Sequence, residues 1–148
     1  MRRTIAGTVI GYVVIVTCVL ATLSLAFLAL GADRAFQPNT FDVSTMWLVV
    51  SFLLGFVAAM AGGIVCASIA PGRNGPRALA VVVLFLGLLM AIPVVSSSDT
   101  EPRVRHASLG TLEAMNSAAQ PPWVALSNPF AGLIGVLAGA RLRKPKSR

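Results

Sequence analysis

Proton transfer, nucleophilic attack and metal binding each need particular side chains, and this sequence holds few of them. Its one histidine, His106, lies beside Arg103 and Arg105 in a polar stretch and reads as a solvated loop residue rather than a proton shuttle. Cys18 and Cys66 are the only cysteines, fall in separate apolar segments at different depths, and form no Cys-x-x-Cys motif, so neither a disulfide nor a redox pair is expected. No Ser/His/Asp set, phosphate-binding glycine loop or zinc-ligand spacing is present. The expectation is therefore no catalytic residue, no metal site and no enzyme activity. No cofactor is implied. A haem bundle needs His within its helices, whereas a pigment, quinone or lipid in an apolar groove leaves no signature in residue types.

The elements that would position any site are set by hydrophobicity. Of the 148 residues, 56% are hydrophobic and 11% charged, against roughly 25% charged in soluble domains. Residues 4–32, 43–72, 78–98 and 114–140 carry no charge. A helix needs roughly 20 residues to cross a hydrocarbon core of about 30 Å, so each interval is long enough. The predicted helices cover residues 5–30, 45–70, 78–95 and 123–140, with an external segment at 96–122. The fold class is all-α: a single integral membrane domain, an antiparallel up-down bundle of four transmembrane helices without β-structure.

Charge placement orients the bundle. Arg2, Arg3, Arg73, Arg77, Arg141, Arg143, Lys144, Lys146 and Arg148 fall on one side of a four-crossing chain, with no acid among them. Arg34, Arg103 and Arg105 share the other side with Asp33, Asp42, Asp99, Glu101 and Glu113. Lys and Arg are retained in cytoplasmic loops, which predicts cytoplasmic N- and C-termini. Trp47 and Trp123 stand at the outer helix ends, as in an aromatic girdle. The formal charge of +7 does not form one patch on a soluble body, so no nucleic-acid partner is expected. Arg73, Arg77, Arg141, Arg143 and Lys144 are candidates for contact with anionic lipid headgroups, besides their role in topology. A cleaved signal peptide is the rival reading of the first segment, but its apolar run of about 25 residues exceeds the usual 7 to 15 or so.

Intramembrane Asp, Glu, Lys, Arg or His would mark ion and proton paths, and none lies inside the four predicted helices. What these helices do carry is small residues. In the second, Gly55, Ala59, Gly63 and Ala67 form one row at spacing four, and Ala58, Gly62, Cys66 and Ala70 form another about 60° away. Together they read as one continuous smooth face, for which Gly63→Leu is the most disruptive change. The first helix offers Gly7 and Gly11, the third Gly87 and Ala91, the fourth Ala131, Gly135 and Gly139. Small residues let backbones approach where lipid supplies no hydrophobic drive.

The links are less regular. Residues 71–76 (PGRNGP) turn the chain and predict that the second and third helices are adjacent and antiparallel. Leu109, Leu112 and Met115, at spacing three, suggest a short amphipathic helix ended by Pro121 and Pro122. Asn128-Pro129 is compatible with a kinked full span or with a half-helix starting at Pro129.

Residues 47–71 (WLVVSFLLGFVAAMAGGIVCASIAP) and 77–93 (RALAVVVLFLGLLMAIP) resemble small uncharacterised bacterial inner-membrane proteins with four helices. The resemblance covers about a third of the chain; it implies a bacterial plasma membrane and no activity. Two functions fit these features. The first is a structural or accessory subunit packing with itself or with other membrane subunits. The second is a carrier or channel for a neutral or apolar solute, lined by Thr17, Thr22, Ser51 or Asn128.

Overall fold

A charge-free apolar run in lipid must satisfy its backbone N–H and C=O groups internally, and helix does this within one segment. A computed structural model describes residues 1–36, 43–96 and 121–143 and contains four long helices: α1 (Arg2–Leu30), α2 (Thr45–Ile69), α3 (Asn74–Ser96) and α4 (Pro122–Leu142). All four are long and apolar enough to cross a membrane. The third begins four residues before its predicted start, so that Arg77 sits in its first turns. Among the described residues there is no strand, only an isolated antiparallel bridge between Phe36 and Val43.

Consecutive helices run antiparallel. Along α1 and α2, Gly7 meets Ala70 and Gly11 meets Cys66, with Ile15 reaching Gly62. Along α3 and α4, Val83 meets Gly132 and Gly87 meets Pro129. The adjacency predicted for α2 and α3 needs correction. Their faces lie across the bundle diagonal and meet chiefly near the turn, where Gly75 abuts Ala70. The reason is that the small-residue surface of α2 is taken up by α1 on one side and α4 on the other. Gly72, with φ of 118°, supplies the backbone conformation the turn requires.

Inside and outside are both apolar, so polarity does not separate them. Large side chains such as Val13, Leu20, Leu53, Val57, Phe85 and Ile134 face outward. The interior cluster is Ile15, Ala59, Cys66, Leu79, Ala80 and Val136.

The end opposite the arginines is closed by a second cluster. α1 stops at Gly31, whose N–H donates to the Phe27 carbonyl at 2.9 Å, and a single helical turn, Ala32–Ala35, follows. Ser44 caps α2: its hydroxyl accepts from the Trp47 N–H at 3.1 Å and donates to the Arg34 carbonyl at 2.6 Å. Phe27 packs edge-on against Phe36 and Trp47, with ring centroids 6.1 and 5.7 Å away. Trp47 is accordingly 8% exposed, which corrects its expected place in an outer girdle, because Phe27 and Phe36 enclose the ring. Trp123, 60% exposed, does face outward.

Candidate functional site

Three helix seams and one charged end make up the candidate site. The first seam joins α1 to α2. A Cβ on Gly11 would stand 3.0 Å from the Gly62 carbonyl oxygen, and a Cβ on Gly62 would stand 2.7 Å from the Gly11 carbonyl oxygen. Each glycine therefore receives the other helix's backbone, an approach typical of helix contacts with Cα–H···O character. Gly7 continues the seam, its Cβ position lying 3.0 Å from the Ala70 Cβ.

In the second seam, between α2 and α4, a Cβ on Gly63 would overlap the Val136 carbonyl, and one on Gly139 would overlap the Met60 carbonyl. Gly135 is close as well, with its Cβ position 2.8 Å from the Ala59 Cβ. The third seam fits Gly87 of α3 against the Pro129 ring, 2.7 Å from its Cγ. Pro129 lies inside a continuous α4, so the structure has the full span and not the half-helix.

The ten packing candidates thus separate. Gly7, Gly11, Ala59, Gly62, Gly63, Gly135 and Gly139 are buried, and Gly87 is half-buried beneath Pro129. Ala67 is half-buried, and a Cβ on Gly55 would meet nothing within 4 Å. The two rows on α2 are not one smooth face: Gly62, Cys66 and Ala70 lie towards α1, whereas Ala59 and Gly63 lie towards α4.

The candidate lining residues do not converge. Thr22 donates to the Cys18 carbonyl at 2.6 Å and Ser51 to the Leu48 carbonyl at 2.9 Å, so both hydroxyls serve their own helices. Thr17 and Asn128 are exposed on the outer surface. The Asn128 side chain makes no hydrogen bond among the described residues. Thr8, which residue spacing did not single out, holds a buried hydroxyl oxygen without a partner beside the α1–α2 seam. Cys18 and Cys66 are free thiols, the latter buried in the interior cluster.

At the charged end, Arg2, Arg3, Arg73, Arg77, Arg141 and Arg143 are all exposed, and no acid accompanies them among the described residues. The terminal basic residues from Lys144 onward, and the segment with His106, Leu109, Leu112 and Met115, lie outside the described residues.

Comparison of the chain with family models, with characterised proteins and with solved structures finds no match.

Proposed function

We propose that this chain is a structural or accessory subunit of a bacterial inner membrane, acting through helix packing with itself or with other membrane subunits and without catalysis. The reading rests above all on the glycine seams, in which backbone is laid against backbone: they make a stiff element with a large outward apolar surface. Both termini face the cytoplasm in this reading, which the acid-free arginine end supports. Exposed Arg73, Arg77, Arg141 and Arg143, with Lys144 beyond them, would then contact anionic headgroups of the inner leaflet.

Extraction from the native membrane in mild detergent, followed by mass measurement of the intact particle, tests the proposal. A particle heavier than one chain is expected. A lone 15.4 kDa chain with no companion would overturn it.

The second reading, a carrier or channel for a neutral or apolar solute, is favoured by one observation, the unpaired Asn128 amide in an apolar span. Solute flux into proteoliposomes that is lost in Asn128→Leu would support it.

A further inference from the structure

Ala70, at the arginine end of α2, is shared by two other helices. A Cβ on Gly7 of α1 would stand 3.0 Å from the Ala70 Cβ, and one on Gly75 of α3 would stand 2.7 Å from the same methyl. The first turns of α1 and α3 are therefore gathered against one residue. Arg3 is one turn before Gly7 on the same face of α1, and Arg73 is two residues before Gly75 in the turn. Arg2 and Arg77 flank them, and all four are exposed.

Nothing in the chain balances this corner. Neither α1 nor α3 has an acid in its first turn. Asp33, Asp42, Asp99, Glu101 and Glu113 fall in the α1–α2 and α3–α4 connections, which leave from the opposite ends of those helices. Two helices that start side by side also bring like poles of their dipoles together. Such repulsion is screened less at the edge of a hydrocarbon layer than in bulk water, so an anion from outside the chain would stabilise the corner.

The anion at this depth is lipid phosphate. Gly7 lies within a span, and Arg3 is about 6 Å further along the axis, towards the headgroup layer. α1 contributes the pair Arg2 and Arg3, and the α2–α3 turn with the start of α3 contributes the pair Arg73 and Arg77. A headgroup with one phosphate meets one pair, whereas a headgroup with two offers an acceptor to each.

We infer that this corner binds an anionic lipid whose headgroup carries two phosphates, one on Arg2 and Arg3 and the other on Arg73 and Arg77, so that the lipid ties α1 to α3. Arg141 and Arg143 end α4, whose neighbours are α2 and α3, and stand outside the corner. The inference rests on the headgroup contact proposed above and names its lipid.

Full-length chain in mild detergent, titrated with lipid and read by mass measurement of the intact complex, tests this. At equal total phosphate, diphosphatidylglycerol should bind about tenfold more tightly than phosphatidylglycerol, with phosphatidylcholine weakest. Arg3→Gln with Arg73→Gln should lower the diphosphatidylglycerol affinity about tenfold, whereas Arg141→Gln with Arg143→Gln, an equal loss of charge, should leave it within about twofold. Thermal unfolding without lipid checks the fold of each variant, and the comparison of lipids on the unaltered chain needs no variant. Equal binding of the two anionic lipids, equal losses from the two arginine pairs, or equally tight binding of a glycerol bisphosphate without acyl chains would overturn the inference. If anionic lipid still binds more tightly than phosphatidylcholine in those cases, the general headgroup contact stands without it; no preference for anionic lipid would remove both.

Discussion

Gly62 and Gly63 are neighbours in sequence but serve different helices: Gly62 receives the backbone of Gly11 on α1, and Gly63 receives the backbone of Val136 on α4. Successive residues on a helix point about 100° apart, so a glycine doublet opens two approach directions at one level. One glycine could admit only one neighbour this closely.

Substitution at the doublet should therefore have separable effects. Gly62→Leu should part α1 from α2, and Gly63→Leu should part α4 from α2, each lowering stability by at least the roughly 1–3 kcal/mol typical of overpacking. Gly55→Leu, in the same row as Gly63, should leave monomer stability within about 0.5 kcal/mol of wild type, because its Cβ position is open. Denaturant titration in mixed micelles reads all three. Equal losses at Gly55 and Gly63 would contradict the open space beside Gly55.

Gly87 and Pro129 should be coupled. Pro129 removes one backbone hydrogen bond from α4 and presents a ring, and Gly87 is the position that accommodates it. Gly87→Ala alone should destabilise the bundle by about 1–2 kcal/mol, while the same change with Pro129→Ala should be milder, with a coupling of roughly 1 kcal/mol in a double-mutant cycle. Additive losses in that cycle would remove the contact from the account.

Much of this was legible in the residues, and what was not has a physical reason. Charge-free length located all four helices because lipid imposes one strict requirement on backbone. Small-residue spacing marked Gly63 and Gly139, since close approach leaves a trace in residue type. The diagonal placement of α2 and α3 was not legible, because a short turn constrains helix ends and not which faces meet. Gly55 shows the same limit: row membership could not reveal which glycines a neighbouring backbone approaches. Trp47 was misplaced because a tryptophan at a helix end suits either a lipid interface or an aromatic cluster, and Phe27 and Phe36 decided between them.

The two tryptophans should differ in their contact with lipid. In single-tryptophan variants made with Trp47→Phe or Trp123→Phe, brominated lipid should quench Trp123 fluorescence strongly and Trp47 weakly, in keeping with 60% and 8% exposure. Comparable quenching of both would mean that the Phe27–Phe36–Trp47 cluster opens in the bilayer.

Orientation should be fixed by the arginine end as a whole and not by one turn of it. An impermeant maleimide applied to intact cells should label Thr40→Cys but spare Asn74→Cys and Ser147→Cys, in a background without Cys18 and Cys66. Removing only Arg73 and Arg77, as Arg73→Gln with Arg77→Gln, leaves seven of the nine basic residues on that side, so the labelling pattern should persist. Replacing the tail arginines and lysines by Gln as well leaves only Arg2 and Arg3, against Arg34, Arg103 and Arg105 on the other side. A mixed or inverted population is then expected, because acids count little in this balance and the basic excess has changed sides. Labelling of Asn74→Cys and Ser147→Cys on opposite faces in the unaltered chain would mean an odd number of crossings between them, which a bundle with α3 and α4 both spanning cannot have.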